Sequence, residues 1–354
     1  MLTVVWRGME SKRQNLSTVP ISVLVPFRNE ETNLPKLIAS LEKQMHTRFE
    51  VIFVNDHSDD NGEAYLAKRL SNVSFPVKIL SLDLNEGKKS ALALALSHAA
   101  YDLVITTDAD CEMGADWLQS MARPFADEGL KMLVGPIGLT GKSLWQQMQS
   151  IESSALIGVG ASMLQLGKPI MANGANLAYR KAVFQEVNGF QGIDATPSGD
   201  DELLMAKVMR KYPADVAFIK SSEAMVFTDA LSSWSDFSQQ RLRWASKWKV
   251  GKRMSTQWSA LFIFVIQLIQ LTFIGILFSE DALSTVTLIL LMTRLLIELI
   301  LLWSVRQSLG QKMHWLPAII SYLLYPVYAI YFGVAANFGT FQWKGRSYKI
   351  NGVQ

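Results

Sequence analysis

The chain of 354 residues is long enough for one large domain or two ordinary ones, and 49% of its residues are hydrophobic. Its formal net charge of +3 is too small to indicate nucleic-acid binding by itself. The single cysteine, Cys111, excludes an intrachain disulfide framework and favours a reducing compartment. Residues 1–19 are polar and interrupted by basic side chains, so no signal peptide is expected.

From residue 21 the sequence alternates short apolar runs with segments of helical periodicity, which is the pattern of βαβ units in an α/β fold. Strands are predicted at 21–26, 50–55, 77–82 and 103–107, and helices at 30–44, 61–70 and 88–99. No Gly-x-Gly-x-x-Gly follows the first strand, so a dinucleotide-binding site would lack its phosphate loop. Beyond residue 113 the pattern is weaker. It predicts strands at 131–139, 173–179 and 216–219, and helices at 143–166, 181–187 and 200–211.

Residues 232–253 are predicted to form an amphipathic helix in which tryptophans alternate with basic side chains. This composition is typical of a helix lying on a membrane surface, although an ordinary surface helix is the alternative. The stretch 241–253 carries no acid and favours the cytoplasmic face; its bases are Arg241, Arg243, Lys247, Lys249, Lys252 and Arg253.

Three apolar stretches follow. Residues 255–279 and 315–343 carry no charge, and residues 282–305 carry only Arg294 and Glu298, which are expected to pair with each other. Their length predicts three transmembrane helices rather than buried core helices. Three full crossings would put the basic tail (Lys344, Arg346 and Lys349) outside, against the positive-inside tendency. Either one stretch does not cross fully or the tail breaks that rule.

Carboxylates follow two of the predicted strands. Asp56 ends the second strand, and Asp108 and Asp110 follow the fourth. Open α/β sheets bind ligands at the carboxyl ends of their strands. A polyanionic nucleotide approaches several carboxylates when a divalent cation neutralises them, so the pattern indicates a metal-bridged nucleotide. For Asp56 the alternative is a turn or helix-cap role, because residues 56–62 are rich in both signals.

The order of these motifs resembles the family 2 glycosyltransferases, and in particular their membrane-bound members, such as ceramide glucosyltransferases and processive polysaccharide synthases. The segments that carry the resemblance are 26–31, 85–92, Asp108-x-Asp110, 173–180, 187–190, 199–203, Gln240-x-x-Arg243-Trp244 and a tail motif at 343–348. The resemblance implies a GT-A nucleotide-diphospho-sugar transferase domain with a Rossmann-like mixed sheet, followed by C-terminal transmembrane helices.

The resemblance also implies how the donor binds. Asp56 would contact the nucleobase, Asp108 the ribose or diphosphate, and Asp110 together with Asp108 would hold Mg²⁺ or Mn²⁺. Lys88 is expected to reach the nucleotide from a helix start, where a plain capped helix is the alternative. The full set of residues expected to bind the nucleotide sugar is Pro26, Arg28, Glu30, Asp56, Lys88, Asp108, Gln240, Arg243 and Trp244.

Catalysis is assigned by resemblance to the segment 199–203, where Asp201 would be the base and Asp200 would support it. Inverting transfer needs one carboxylate to take the proton of the acceptor hydroxyl. The alternative is that both acids only complement the dipole of a helix start. Gln240, Arg243 and Trp244 share one face of a helix, so the guanidinium is suited to a diphosphate and the indole to a sugar or an acceptor.

The expected protein is therefore a metal-dependent inverting hexosyltransferase that moves a sugar, most simply from a UDP-sugar, to a membrane lipid or growing glycan of the cell envelope. A processive polysaccharide synthase and a catalytically silent sugar-nucleotide-binding subunit are the alternatives. We expect an integral protein of a bacterial inner membrane, with a cytoplasmic catalytic domain and no nucleic-acid partner. The expected parts are an extension (1–20), the GT-A domain (21–231), the interfacial helix (232–254), the transmembrane region (255–343) and a tail (344–354).

Overall fold

The computed structural model describes residues 2–8, 18–193, 199–250, 254–278, 283–338 and 340–349. Twelve strands run through this part of the chain: β1 (Ile21–Phe27), β2 (Phe49–Asn55), β3 (Val77–Ser81), β4 (Leu103–Thr106), β5 (Glu112–Met113), β6 (Met132–Val134), β7 (Ile137–Thr140), β8 (Leu177–Arg180), β9 (Val216–Phe218), β10 (Val226–Asp229), β11 (Thr340–Trp343) and β12 (Arg346–Lys349).

The same part of the chain contains twelve α-helices: α1 (Leu2–Gly8), α2 (Leu34–Glu42), α3 (Gly62–Arg69), α4 (Lys88–His98), α5 (Trp117–Ala122), α6 (Leu144–Gln165), α7 (Lys181–Glu186), α8 (Glu202–Lys211), α9 (Trp234–Val250), α10 (Met254–Ile276), α11 (Leu283–Ser308) and α12 (Trp315–Ala335). Residues 251–253, the end of the predicted interfacial helix, lie outside the described residues.

The chain divides into two compact units. The first comprises Met1–Thr140, Val159–Asp229 and Ser308–Gly310. The second comprises Gly141–Gly158, Ala230–Gln307 and Gln311–Gln354.

A seven-stranded mixed sheet forms the centre of the first unit, in the order β3-β2-β1-β4-β8-β6-β9. Strands β1 to β4 are parallel, and β8 is antiparallel to its neighbours β4 and β6. Strand β1 is buried along its whole length, as expected for a strand covered on both faces. Val23 and Val25 belong to the core that includes residues of α2, whereas Leu24 belongs to the core that includes residues of α4. The predicted α/β fold with a Rossmann-like mixed sheet is confirmed.

A small second sheet, in the order β5-β10-β7, accounts for the main differences from the predicted elements. The single strand predicted at 131–139 is two strands, β6 and β7, which belong to different sheets. Pro136 lies in the break between them, and a proline has no backbone N–H for a sheet ladder. Strands β5 and β10 were not predicted, because segments this short show no period-two alternation.

The first helix, α1, packs onto the last strand of the large sheet. The Trp6 side chain is fully buried, and its ring centroid lies 5.9 Å from that of Phe218 in β9. Lys220 Nζ donates a hydrogen bond to the Trp6 carbonyl oxygen at 2.9 Å. Part of the predicted N-terminal extension is thus integral to the first unit.

The second unit contains the apolar helices. Among the described residues, Ser284–Ser308 and Trp315–Ala335 are long and apolar enough to cross a membrane, and Leu261–Ile276 is a shorter apolar segment. The predicted pair within α11 is present, since Arg294 Nε lies 2.8 Å from Glu298 Oε1.

The C-terminal end of α11 is held by hydrogen bonds within the second unit. The Arg306 guanidinium donates to the Ser154 hydroxyl of α6 at 2.8 Å and to the Lys312 carbonyl at 2.7 Å. The tail motif forms an antiparallel hairpin of β11 and β12, which we call the tail hairpin.

Candidate active site

The loops that follow β1 and β2 are joined by one arginine. Pro26 lies in β1, opposite Val54 of β2. Arg28, just beyond β1, donates from Nη1 to the carbonyl oxygens of Asp56 at 2.8 Å and His57 at 2.6 Å. Arg28 therefore fixes the backbone of the loop that carries Asp56.

Glu30 is nearly fully buried and accepts a hydrogen bond from Asn33 Nδ2 at 2.6 Å. Its carbonyl oxygen accepts from the N–H of Leu34, the first residue of α2, at 3.0 Å. In this structure Glu30 stabilises the turn that leads into α2.

Asp56 connects the end of β2 to the start of α4. Its carboxylate accepts a hydrogen bond from the Gly87 N–H at 3.1 Å, and its own N–H donates to the Phe27 carbonyl at 2.9 Å. Gly87 has a φ of 92°, a conformation that favours glycine, and it directly precedes α4. Asp56 therefore positions the glycine that introduces Lys88.

Lys88 bridges two carboxylates from distant parts of the chain. Its Nζ lies 2.5 Å from Asp108 Oδ1, at the end of β4, and 3.3 Å from Asp200 Oδ2, before α8. Burial alone would lower the pKa of Lys88, but the charges of Asp108, Asp200 and Asp201 outweigh that effect and raise it above its ordinary value. The lysine therefore stays protonated at neutral pH.

Asp201 is held by two backbone N–H groups. As the N-cap of α8 its Oδ1 accepts from Glu202 N at 2.6 Å, and its Oδ2 accepts from Gly174 N at 3.1 Å. Gly174 is in turn fixed by Thr106 of β4, whose hydroxyl donates to the Gly174 carbonyl at 2.6 Å. These contacts orient the Asp201 carboxylate beside the Lys88 cluster.

Gly174 has no room for a side chain. A Cβ atom there would lie 2.7 Å from Asp200 Oδ2 and 3.1 Å from Lys88 Nζ. The close approach of the backbone at this point lets the Asp201 carboxylate, Asp200 and Lys88 meet.

Asp110 is exposed, and its Oδ2 accepts a hydrogen bond from the Thr228 hydroxyl of β10 at 3.2 Å. Among the described residues, no group of three or more His, Cys, Asp or Glu side chains is arranged to hold a metal ion. Two carboxylates nevertheless suit Mg²⁺ or Mn²⁺, because such ions prefer oxygen ligands and take the rest from water and substrate phosphates. Lys88 contacts Oδ1 of Asp108, and that carboxylate has a second oxygen. Asp108 and Asp110 thus fit a divalent cation bound together with a diphosphate.

Cys111 follows the pair of acids and is buried. Burial and the charge of Asp110 raise the pKa of its thiol well above the ordinary value. The thiol is therefore protonated and unreactive at neutral pH.

The Gln-x-x-Arg-Trp residues belong to the second unit, where they lie in α9. Gln240 and Trp244 both contact Arg241: Gln240 Oε1 accepts from its guanidinium at 3.0 Å, and the Trp244 ring lies 4.4 Å from its guanidinium carbon. Arg243 instead faces the tail hairpin, with its guanidinium carbon 5.0 Å from the Trp343 ring centroid.

Arg241 was not among the predicted site residues. Its side chain is 7% exposed and lies 2.5 Å from Glu152 Oε2 of α6, and it also stacks on Phe237 at 4.3 Å. Its position between bases and aromatic residues in the sequence gave no indication of which arginine turns inward.

Gly174, Thr106 and Tyr179 were also missed as individual site residues. The segment 173–180 carried a signal, because it matches the resemblance, but no single residue in it stood out. The Tyr179 hydroxyl is buried without a hydrogen-bond partner among the described residues. Burial and the nearby charge of Asp200 raise its pKa, so this group is a neutral neighbour of the cluster.

The first unit has the Rossmann-like mixed sheet of the GT-A fold, with acids at the carboxyl ends of its parallel strands. Residues 22–187 match the family model described as glycosyl transferase family 2. This segment, which runs from β1 into the end of α7, is therefore similar to the glycosyltransferases of family 2.

Several solved structures are similar to this chain. The mannosyltransferase PcManGT from Pyrobaculum calidifontis, in complex with GDP-Man and Mn²⁺, is 15% identical with a TM-score of 0.56, over 95% of this chain and 91% of that chain. TarS 1-349 from S. aureus is 17% identical with a TM-score of 0.44, over 94% and 96% of the two chains. Glucosyl-3-phosphoglycerate synthase from Mycobacterium tuberculosis is 15% identical with a TM-score of 0.42, over 69% and 80%. The similarity to PcManGT shows a shared fold.

Proposed function

We propose that the protein is an inverting hexosyltransferase that takes a sugar from a nucleoside diphosphate donor, a UDP-sugar, and passes it to a lipid acceptor presented at the membrane. One observation carries this proposal. Lys88, Asp108, Asp200 and Asp201 converge from three separate parts of the chain at the carboxyl end of β4. A cation between carboxylates at this edge of a sheet suits a site that binds a diphosphate and holds a catalytic base next to it.

On the donor side, the loops after β1 and β2 would receive the nucleoside. Pro26, Arg28 and Glu30 shape the first loop, and Asp56 offers a carboxylate from the second. Lys88 would balance the charge of the diphosphate. Asp108 and Asp110 would hold a Mg²⁺ or Mn²⁺ ion, which would supply charge neutralisation of the leaving diphosphate when bound.

On the acceptor side, Asp201 is the proposed base. Its carboxylate would take the proton of the acceptor hydroxyl as that oxygen bonds to the anomeric carbon and the bond to the diphosphate breaks. Each Asp201 oxygen accepts one backbone N–H, and these two hydrogen bonds hold the carboxylate in a fixed orientation. Asp200 would hold Lys88 beside the departing phosphate. Attack opposite the leaving group gives inversion without a covalent intermediate.

The lipid acceptor is supported by the second unit. Trp234 and Trp244 are exposed on α9, and apolar helices follow directly in the chain. Gln240, Arg243 and Trp244 are proposed to meet the donor diphosphate and the acceptor.

The test is transfer by the purified full-length protein in lipid nanodiscs, using labelled UDP- and GDP-sugars with a membrane lipid extract and added Mg²⁺ or Mn²⁺. We expect one labelled lipid product, with an anomeric configuration opposite to that of the donor. A ladder of polymer lengths would instead indicate a processive synthase. If neither transfer nor donor hydrolysis is detected with any sugar, the proposal is contradicted and a silent binding subunit is favoured.

A further inference from the structure

The tail hairpin lies directly against α9. The backbone N–H of Gln342 in β11 donates to Gln239 Oε1 of α9 at 2.8 Å. One turn further along α9, the Arg243 guanidinium stacks over the Trp343 ring. Phe341, which directly precedes Gln342 in β11, is 2% exposed. The hairpin is thus packed onto the helix at several positions.

The end of α12 also reaches α9. The rings of Tyr328 and Phe332 lie 6.1 Å and 6.0 Å from that of Phe237, and Phe332 is 6.2 Å from Trp234. The chain leaves α9 through α10 and α11, and it returns to α9 through α12. All these residues belong to the second unit.

We propose that α9 and the tail hairpin form a single surface on one face of the membrane, so that α10, α11 and α12 together cross the bilayer an even number of times. The inference rests on the proposed membrane attachment. The hydrocarbon core is about 30 Å thick, and two groups joined by a hydrogen bond cannot lie on opposite sides of it. At least one of the three apolar helices therefore does not cross the membrane.

The chemistry of this surface fits anionic lipid headgroups. Lys344 is exposed in the hairpin turn, and Arg346 begins β12 two residues later. Residues 337–349 include no acid. Trp234 and Phe338 are exposed at 56% and 69%, as aromatic residues are at a membrane–water interface. This arrangement puts the basic tail on the same side as the basic helix, which removes the conflict that three crossings create.

Single-cysteine labelling tests the arrangement in the full chain, because the native Cys111 is buried and gives a low background. Ser235 of α9 and Ser347 of the tail hairpin are both exposed. Ser235→Cys and Ser347→Cys are each treated with an impermeant maleimide in sealed inside-out and right-side-out vesicles. We expect both variants to label in the same vesicle orientation. Labelling from opposite sides would overturn the inference.

A cross-link gives an independent measurement. Gln239→Cys combined with Gln342→Cys should form an intramolecular disulfide on mild oxidation in membranes, whereas Gln239→Cys combined with Ser284→Cys in α11 should not. Loss of the first cross-link in membrane-bound, active protein would overturn the contact. Release of the wild-type protein by alkaline carbonate would instead contradict the proposed membrane attachment, so the two failures are distinguishable.

Discussion

Lys88 Nζ lies 2.5 Å from Asp108 Oδ1, so the first residue of α4 meets the loop that follows β4. The two segments are not neighbours in sequence, but β1 lies between β2 and β4 in the sheet, and α4 packs over it. The ion pair is therefore a product of the sheet order. It places the Lys88 ammonium group next to Asp108, the first of the two acids after β4.

Replacing this cation should weaken donor binding. In Lys88→Met the carboxylates of Asp108 and Asp200 keep their charge and repel a diphosphate. We expect donor affinity to fall roughly ten- to hundred-fold, the effect of losing a hydrogen bond to a charged group. Isothermal titration with UDP and Mn²⁺ measures this. Lys211→Met, which breaks an exposed pair with Glu186, is the matched control and should bind normally. Equal affinities in the two variants would contradict the role of Lys88.

Asp201→Asn should separate catalysis from folding. Asparagine caps a helix about as well as aspartate, so α8 should keep its stability. The amide cannot accept the proton, and kcat should fall by about 10² to 10⁴, the usual contribution of a general base. The measurements are transfer rate, nucleotide affinity and thermal midpoint on the same preparation. If Asp201→Asn turns over as fast as the wild type, Asp201 is not the base.

Gly174→Ala should misplace the reacting groups. Its Cβ would press on Asp200 and Lys88, and a displacement near 1 Å costs about 100-fold in rate. The matched control is Gly114→Ala, because a Cβ at that position meets nothing within 4 Å. We expect kcat to fall only in the first variant. If both variants turn over normally, the close approach at Gly174 has no catalytic importance.

Asp56 can be tested for its two possible roles by a pair of substitutions. Asp56→Asn keeps an oxygen that can accept the Gly87 N–H, whereas Asp56→Ala loses it. If the carboxylate also binds the nucleobase, the donor KM should rise in both variants while the thermal midpoint falls only in the second. A normal KM in Asp56→Asn would leave Asp56 with the structural role alone.

The Arg241–Glu152 pair should stabilise the second unit. Both side chains are largely buried, and removing one partner leaves an uncompensated charge, which typically costs about 3 kcal/mol. We expect Arg241→Met to lower the unfolding midpoint in detergent and the double variant with Glu152→Gln to recover part of the loss. The control is Arg69→Met, which breaks a more exposed pair with Glu42. Additive effects of Arg241→Met and Glu152→Gln would show that the pair is not coupled.

The strands of the first half were predictable because each is a continuous apolar run between turn residues. The small second sheet was not, since β5 and β10 are too short to show a period and β7 was merged with β6 in one predicted strand. Asp108 and Asp110 were predicted as site residues from their position after β4. The partnership of Lys88 with Asp200 could not be read from the chain, because it depends on which strands become neighbours.

The second unit shows the same limit. Composition alone identified the apolar helices and the basic helix before them. It could not indicate that Arg241 turns inward to Glu152 while Arg243 turns toward Trp343. Two arginines two positions apart on a helix have the same chemistry and differ only in the direction that they face. The tail motif was noted only as a resemblance, and its hairpin was not predicted.

The buried indole of Trp6 has a practical consequence for handling the protein. It packs on Phe218 of β9, the outermost strand of the large sheet. A shortened chain that began at Val19 would leave that aromatic surface open to solvent at a sheet edge, where strands readily pair with other molecules. Such a chain should aggregate at concentrations at which the full chain remains dispersed, which light scattering during purification would reveal.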